Sequence, residues 1–449
     1  MQQWHVTESR RSRPRSMTSS APDLSSSRTR RVTAKPRGGR STSLLWLART
    51  GVAVVSCGAV AISGLVWAET HHLVDGFTMS NALGADAPHS SGGGENILLM
   101  GLDTRKDLNG QDLPDGILKQ LHAGDSSNGG YNTNTMILVH IPADRKNIVA
   151  FSIPRDDLVR MDDVDVPEAK IKEAYGRKKA ITEDELQKEG VTDPQELETR
   201  GREAGRAETI KTVRNLTGVP IDRFAEVSLF GFYDVAKALG GVKVCLNHAV
   251  SDSYSGAKFK AGEQTLDGKQ SLAFVRQRHG LDNGDLDRTH RQQAFMLSVL
   301  NQLRDAGTFT SIDKVNALVD VAQRNVVLSD GWNLVDWIQQ MGSVSDQRIT
   351  FTTLPVVRYD TFDGQDVNIV DPAVIRSRVQ KAFGVKPTPA PITSSVEPSS
   401  TDQSSPDQSS PDRSETGAST DPATATVSDA PPPDSGTSLS SSSGVPCVN

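Results

Sequence analysis

The stretch ENILLMGLD, residues 95–103, is a short apolar run that stops at a glycine and an aspartate. This pattern is typical of a buried strand that ends in a functional loop. Two further runs, MILVHIP (136–142) and NIVAFSIP (147–154), are rich in β-branched residues, and both end at a proline. The three runs predict strands of a central sheet, with polar groups collected where the strands end.

Helical and extended patterns alternate through the rest of this region. AETIKTVRNLTG predicts a helix that ends at Gly218, and RFAEVSL, FGFYDVAKALG and GVKVCLN predict a strand–helix–strand unit. Three helices are predicted next, from HRQQAFMLSVLNQL, IDKVNALVDVAQRN and DGWNLVDWIQQM. RITFTTLP then predicts a strand, and DPAVIRSRVQKAF predicts a last helix. We therefore predict a single α/β domain, residues 95–384, in which helices flank a central mixed β-sheet. Its charged segment 176–206 is expected to be a helical insertion on the solvent side.

Basic residues are concentrated at the start of the chain. Residues 1–43 contain ten Arg or Lys and two acidic residues, so this arm carries +8, and the rest of a chain with a net charge of −6 carries −14. The arm is rich in Ser and Pro, and we expect it to be disordered. The acidic body disfavours a nucleic-acid partner, because duplex binding requires a cationic surface.

Residues 44–68, LLWLARTGVAVVSCGAVAISGLVWA, predict one transmembrane helix. As a helix they would span roughly 37 Å at about 1.5 Å per residue, which is enough to cross a bilayer. A cleaved signal peptide is the alternative, although its apolar region would be shorter. With the basic arm in the cytoplasm, a single-pass protein of the cell membrane is expected, with its folded domain extracytoplasmic. Residues 69–94 are expected to form a stalk.

The tail, residues 385–449, is rich in Ser, Pro and Thr and contains no aromatic residue. We expect it to be disordered, because it cannot bury enough apolar surface to offset its ordering entropy. Two cysteines fall outside the predicted membrane span, Cys245 and Cys447. A disulfide between them is one possibility, but the position of Cys447 in the tail favours a buried, free Cys245.

The segment FVRQRHGLDNGDLDRTHRQQ (274–293) concentrates positive charge that would repel itself on a bare surface. Its arginines are Arg276, Arg278, Arg288 and Arg291. Helical spacing places Arg288, Arg291 and Gln292 on one face of the predicted helix. A solvated helix–loop–helix with scattered ion pairs is the plain structural alternative.

Charged residues also follow the predicted strands. Arg155 and Asp156 come directly after the strand end SIP, and Asp103 ends another strand. Arginines at several element ends, with acids beside them, indicate a site for an oxygen-rich anion such as a phosphate. The sequence has neither the GK[ST] of a nucleotide P-loop nor the glycine and glutamate of an EF-hand loop.

Six segments, in this order, resemble the LytR–CpsA–Psr (LCP) family. They are NILLMGLDTR, TNTMILVHIP, AFSIPRDD, TGVPIDRFAEVSLFGF, ALGGVKV and AGEQTLDGKQSLAFVRQRHG…GDLDRTHRQQ. The resemblance covers residues 95–305, and the variants YNTNT and DSYSGA look actinobacterial. It implies an extracytoplasmic, membrane-anchored phosphotransferase of cell wall biogenesis. Such an enzyme moves a glycopolymer from a polyprenyl-pyrophosphate carrier onto peptidoglycan, so its partners are the lipid-linked glycan donor, the peptidoglycan acceptor and the membrane.

The resemblance also implies roles for individual residues. The lipid pyrophosphate is expected to be held by Arg155, Arg276, Arg278, Arg288 and Gln292, with Arg291 as a less important neighbour. Asp103 matches a ligand of Mg²⁺ (or Mn²⁺), and Asn134 stands where a second metal-binding aspartate is expected. The general base is either Asp103 or Asp156. Apolar residues of the helices are candidates either for an isoprenoid tunnel or for ordinary core packing, namely Phe274, Phe295, Leu297 and Leu300.

Arginine forks and a divalent ion suit phosphoryl transfer, because fixed phosphate oxygens and a neutralised leaving group supply most of the catalysis. Two other functions stay open. One is a non-catalytic polyprenyl-phosphate binding scaffold, which the neutral Asn134 favours. The other is a polyprenyl-pyrophosphate phosphohydrolase that uses the same site with water as the acceptor.

Overall fold

A computed structural model describes residues 76–126, 130–282, 284–305, 312–342, 344, 346–385, 438–440 and 444–449. The predicted arm 1–43 and the predicted membrane span 44–68 lie outside these residues. Among the helices of the described residues, none is both long and apolar enough to cross a membrane.

The described residues form strands of two to ten residues. In chain order they are β1 (Thr78–Ser80), β2 (Glu95–Asp103), β3 (Asn132–Ile141), β4 (Asn147–Ser152), β5 (Asp157–Arg160), β6 (Glu168–Lys170), β7 (Arg223–Ser228), β8 (Val242–Leu246), β9 (Val250–Asp252), β10 (Ala257–Phe259), β11 (Gly262–Leu266), β12 (Val326–Ser329), β13 (Arg348–Thr353), β14 (Arg358–Phe362), β15 (Gln365–Ile369), β16 (Leu439–Ser440) and β17 (Cys447–Val448).

The helices lie between these strands. They are α1 (Asp115–Gln120), α2 (Ala174–Lys188), α3 (Pro194–Thr217), α4 (Leu229–Ala238), α5 (Gly268–Arg276), α6 (Asp285–Asp305), α7 (Ile312–Asn325), α8 (Leu334–Gly342) and α9 (Pro372–Ala382). The helices and strands predicted for residues 95–384 are all found among them, and α3 ends at Gly218, as predicted, with this glycine in the left-handed conformation.

A mixed sheet of eight strands forms the centre of the molecule, in the order β1-β12-β7-β2-β3-β4-β13-β16. Strand β2 lies parallel to β7 and antiparallel to β3, and β4 lies parallel to β13. Apolar residues of α3 and α9 pack on one face of this sheet, and residues of α6, α7 and α8 pack on the other. Burial on both faces explains why the central strands read as nearly continuous apolar runs. The predicted α/β class with a central mixed sheet is confirmed.

Three smaller sheets surround the centre: β10-β9, β11-β8-β17 and β14-β15-β5-β6. Strands β7 and β8, which flank α4, therefore belong to different sheets. The strand–helix–strand unit has the predicted elements, but it is not a crossover within one sheet.

The N-terminal boundary of the folded domain lies before residue 95. Strand β1 pairs in parallel with β12 at the edge of the central sheet, and Phe77 is buried in the core. The expected stalk, residues 69–94, is therefore wrong for Thr78–Ser80, which belong to the sheet.

The charged insertion is helical, as predicted, and nearly all of residues 180–200 are exposed or half-buried, but the solvent-side prediction is wrong for its last turns, which pack inward. Helices α2 and α3 pack closely, and a Cβ atom added to Gly205 would lie 2.7 Å from the main-chain oxygen of Tyr175. Arg206 points inward and binds Glu226 of β7 through two hydrogen bonds of 2.9 and 3.1 Å. The error arose because charged residues usually face solvent, whereas here opposite charges are buried as pairs.

The end of the chain is part of the fold. Strand β16 pairs with β13, β17 pairs with β8, and Cys447 forms a disulfide with Cys245. The predictions of a disordered tail over 385–449 and of a free Cys245 are therefore wrong for residues 438–440 and 444–449. The composition of the tail hid this, because the pairing depends on a few residues at its end. Residues 386–437 lie outside the described part of the chain.

Candidate active site

A β-bulge brings Asp103 and Asn134 together. Gly101 pairs with Thr135 and Leu102 pairs with Thr133, so Asn134 is the extra residue of β3. Gly101 permits this close pairing, because a Cβ atom there would lie 2.9 Å from Cβ of Thr135. The Asn134 side-chain amide donates to Oδ2 of Asp103 over 2.8 Å.

Arg155 connects this pair to the start of helix α6. Its Nη1 donates to the side-chain oxygen of Asn134 over 2.9 Å, and its Nε donates to Oδ1 of Asp285 over 3.1 Å. Arg288, one turn into α6, donates to the other oxygen of Asp285 over 2.9 Å. The carboxylate of Asp285 thus holds two guanidinium groups side by side at the helix N-terminus, where an acidic residue is also favoured by the helix dipole.

The loop after α1 orients two further arginines. Arg276, the last residue of α5, donates to the main-chain oxygen of Leu121 over 2.9 Å. Arg105 donates to the main-chain oxygen of Ala123 over 2.9 Å and also pairs with Asp103. Adjacent carbonyl groups therefore hold two cations beside the carboxylate that ends β2.

We call this group of side chains the arginine cluster. Its members are Asp103, Arg105, Asn134, Arg155, Asp156, Arg276, Asp285 and Arg288. Four guanidinium groups in it face three carboxylates, and Lys170 and Lys172 both pair with Asp156. The cluster therefore carries an excess of positive charge.

Arg288 shows this excess most clearly. Its side chain is buried, and its Nε atom has no hydrogen-bond partner among the described residues. Burial lowers the pKa of Arg288 to about 10, which Asp285 only partly opposes and Arg155 reinforces. The group keeps its charge at neutral pH, and an anion that accepted from Nε would satisfy the unpaired donor.

Asp156 is poorly suited to accept a proton. Burial alone would raise its pKa, but Arg155, Lys172 and Lys170 hold the pKa of this carboxyl below its usual range. A strongly stabilised carboxylate is a weak base. Of the two candidates for the general base, Asp103 is therefore favoured over Asp156.

Three of the predicted pyrophosphate residues lie outside the cluster. Gln292 donates to the main-chain oxygen of Val275, and Arg291 binds Gln277 and the main-chain oxygen of Asn449. Arg278 is exposed in the loop after α5, and among the contacts between described residues none joins it to the cluster. Arg291 is fully buried, so it supports the end of the chain rather than facing the site.

The structure adds two residues that the sequence reasoning missed, Arg105 and Asp285. Arg105 follows Asp103 by two positions, and the segment GLDTR could have indicated it as part of the same loop. Asp285 lies within the arginine-rich segment 274–293. Its role depends on contact with Arg155, 130 positions earlier, for which the sequence gives no local signal.

The apolar candidates for an isoprenoid tunnel are packed in the core. Phe274 and Phe295 belong to one cluster, between α5, α6 and the sheet that contains β8. Leu297 and Leu300 belong to another, on the central sheet. Ordinary core packing therefore accounts for all four.

The predicted metal ligands fit a divalent ion only in part. Asn134 presents its amide nitrogen to Asp103 and its oxygen to Arg155, so Asp103 is the only anionic ligand of the pair. Among the described residues, no group of three or more His, Cys, Asp or Glu is placed to hold a metal. Magnesium often takes one or two carboxylates and completes its shell with substrate phosphates and water, so Asp103 suits such an ion together with a phosphate ligand.

Comparisons with known proteins give the same family as the sequence. A model of the LytR_cpsA_psr family matches residues 69–381. The chain belongs to this family. The cell wall biosynthesis protein LcpA of Corynebacterium glutamicum is 40% identical over 358 residues, which are 78% of this chain and 68% of LcpA.

Two further comparisons show lower similarity. The polyisoprenyl-teichoic acid–peptidoglycan teichoic acid transferase TagU of Bacillus licheniformis is 33% identical over 127 residues, 28% of this chain and 41% of TagU. The crystal structure of protein gbs0355 from Streptococcus agalactiae aligns with a TM-score of 0.49 and 20% identity, over 66% of this chain and 90% of that one.

Proposed function

We propose that this LCP protein transfers a glycopolymer phosphate from a polyprenyl-pyrophosphate carrier to a hydroxyl group of peptidoglycan. The observation that carries the proposal is the buried Arg288, whose unpaired Nε lies beside Arg155 in a cluster with excess positive charge. The names of LcpA, a cell wall biosynthesis protein, and of TagU, a teichoic acid transferase, support the same class of reaction.

Arg155 and Arg288 would bind the phosphate oxygens of the donor. The acceptor oxygen forms a bond to the phosphorus that bears the glycan, and the bond from that phosphorus to the bridging oxygen breaks. Polyprenyl phosphate leaves with the electron pair of that bond, and the arginines stabilise its charge. The proton of the acceptor hydroxyl passes to a carboxylate of the cluster, either Asp103 or Asp285.

Asp103 would hold a Mg²⁺ or Mn²⁺ ion, with donor phosphates as the other anionic ligands. Such an ion, when bound, would neutralise charge on the phosphates. The substitution Asn134→Asp tests this site through folding stability. It removes the hydrogen bond to Asp103 and places two carboxylates together, so in EDTA it should destabilise the protein by about 1–3 kcal/mol. Mg²⁺ should raise the melting temperature of this variant more than that of the wild type. Equal responses would overturn the metal site at Asp103.

An extracytoplasmic domain anchored by residues 44–68 completes the proposal. The disulfide between Cys245 and Cys447 supports an oxidising compartment, where such bonds form and persist. A reporter fused to the C-terminal end should then be active only outside the cytoplasm.

Release of polyprenyl phosphate from a labelled lipid-linked glycan tests the reaction directly. Release that depends on peptidoglycan fragments, with the glycan appearing on them, is the expected result. Release at the same rate without fragments would indicate the phosphohydrolase. Binding of the donor without release would indicate the scaffold, which the neutral Asn134 favours.

A further inference from the structure

Strand β14 is the outer edge of the sheet β14-β15-β5-β6, and all its residues, from Arg358 to Phe362, are exposed. Tyr359 is 48% exposed and Phe362 is 42% exposed. These positions differ by three, so the two side chains project from opposite faces of the strand. An exposed tyrosine on an edge strand is available to contact a ligand.

The strand register places Tyr359 beside the arginine cluster. Tyr359 pairs with Asn368 on β15, and Asn368 pairs with Asp157 on β5, so the three residues form one row on the same face. Side-chain and main-chain hydrogen bonds of 2.9 Å from Asn368 to Asp157 and to the main-chain oxygen of Asp156 fix this arrangement. With two strand spacings of about 4.8 Å each, the Cα of Tyr359 lies roughly 10 Å from that of Asp157, two residues after Arg155.

Three carboxyl groups lie near Tyr359. Partial burial raises its pKa, and the carboxyl groups of Asp285, Asp157 and Asp287 raise it further, so these groups lie within electrostatic range of the phenol. In the described part of the chain, the face of β14 and β15 that carries Tyr359, Thr361, Asp366 and Asn368 presents no cation for a phosphate, whereas the unpaired donor of Arg288 suits a phosphate within the cluster. The Tyr359 side of the cluster therefore suits a neutral, hydroxyl-rich ligand.

We propose that the face of β14 and β15 that carries Tyr359 is the subsite for the carbohydrate acceptor. The ring of Tyr359 would stack on a sugar ring, because the negative face of an aromatic ring attracts the polarised C–H bonds of a sugar. Thr361 and Asp366, which pair with each other on the same face and are exposed, would bind its hydroxyl groups. This subsite deepens the proposed transfer reaction and rests on it, since it supplies the hydroxyl that attacks the phosphorus.

The subsite also places the two substrates on different sides of the arginine cluster. Asp285 lies between Arg155 and Arg288 and is the cluster carboxylate whose charge Tyr359 senses most strongly. An acceptor on Tyr359 would therefore approach the arginine cluster from the side of Asp285. The donor phosphates would occupy the side of Arg288, Arg276 and Asp103.

A binding experiment separates this inference from the transfer reaction. The full-length protein would be titrated with chitotetraose, a neutral oligosaccharide of N-acetylglucosamine, and separately with geranyl pyrophosphate. Tyr359→Ala should weaken chitotetraose binding about tenfold and leave geranyl pyrophosphate binding unchanged. Tyr359→Phe should bind like the wild type, because it keeps the ring. Phe362→Ala is the matched control, since it removes an exposed ring from the opposite face of the same strand.

Several outcomes would overturn the subsite. They are an absence of chitotetraose binding by the wild type, equal losses in Tyr359→Ala and Phe362→Ala, and tighter binding of a phosphorylated oligosaccharide through Tyr359, which would assign the ring to the donor glycan. Failure of the transfer reaction would appear differently, as glycan binding through Tyr359 without any release of polyprenyl phosphate.

Discussion

Arg206 and Arg288 are both buried, with 6% and 5% of their surfaces exposed, but their partners differ. Arg206 binds Glu226 through two hydrogen bonds and Glu203 through a third, and these acids hold its pKa above the ordinary value despite burial. Among the described residues, Arg288 has only Asp285 as a charged partner within hydrogen-bond distance. It lies near Arg155, and burial lowers its pKa to about 10.

This difference in partners distinguishes a buried charge that stabilises the fold from a buried charge that is available to bind a ligand. A fully hydrogen-bonded, buried ion pair adds little net stability, because both charges had to be desolvated to form it. Removing one partner is nevertheless costly, since the other charge stays buried without a partner. A buried cation with too few anionic partners destabilises the free protein. Binding of an anion to this cation stabilises the protein. Arg206 is therefore expected to matter for folding, and Arg288 for the bound phosphate.

The largest effect is expected from Arg206→Ala. This change leaves the carboxylate of Glu226 buried without its cation, and it should destabilise the protein by about 3–5 kcal/mol. Urea denaturation measures the loss. Replacing Arg206 and Glu226 together by apolar residues should recover much of it. A single-variant loss below about 1 kcal/mol would show that the pair is solvated and that the comparison with Arg288 fails.

Arg155→Ala and Arg288→Ala should have the opposite profile. Each removes a charge-assisted contact to phosphate, worth about 2–4 kcal/mol in the transition state, or roughly 30- to 1000-fold in rate. Stability should change much less than in Arg206→Ala, because the loss of one cation also relieves repulsion between the two guanidinium groups. Initial rates of polyprenyl phosphate release and urea denaturation of the same preparations give both quantities. Full activity in Arg155→Ala would exclude the arginine cluster as the phosphate site.

Arg291 lies on the helix of the site but has structural partners near the end of the chain. The substitution Cys447→Ser tests whether that end of the chain, held by the disulfide, stabilises the fold. Arg291 belongs to the site helix α6, yet it binds Gln277 and the main-chain oxygen of Asn449 near the disulfide. Loss of the disulfide should destabilise the fold by about 2–4 kcal/mol. Dithiothreitol should lower the melting temperature of the wild type and leave that of the variant unchanged. If the reductant changes the melting temperature of neither protein, the disulfide contributes nothing to stability. The burial of Arg291 beside the chain end would then require another explanation.

The sequence predicted those parts of the site that depend on local patterns. Asp103 and Arg155 follow apolar strands, and Arg276 and Arg288 flank one loop, so each could be assigned from its own neighbourhood. The orientation of Asn134 depends on a bulge in the pairing of β2 with β3, and Tyr359 reaches the site only through the register of three strands. Such pairings between distant segments leave no periodic signal in a single sequence. The inward packing of α3 at Arg206 was missed for a related reason, since its partner Glu226 belongs to β7, a separate element of the fold.

The smallest effect concerns His140, a half-buried side chain that, unlike Arg288, can titrate near neutral pH. His140 lies on the ring of Phe383 and contacts Oδ1 of Asn96 at 2.7 Å. Burial lowers its pKa from 6.5, and Asp222 only partly opposes this shift. The unfolded chain therefore binds a proton near pH 6.5 while the folded protein does not, so stability should fall as the pH drops below this value toward the folded pKa. His290, whose pKa burial also lowers, contributes in the same direction. Urea denaturation at a series of pH values should show this slope in the wild type, a shallower one in His140→Asn, and little in a variant that also carries His290→Gln. An unchanged slope just below pH 6.5 in the double variant would show that these two histidines do not cause the loss of stability, because carboxylates such as Asp156, whose pKa is held below its ordinary value of 3.8, are protonated only at lower pH.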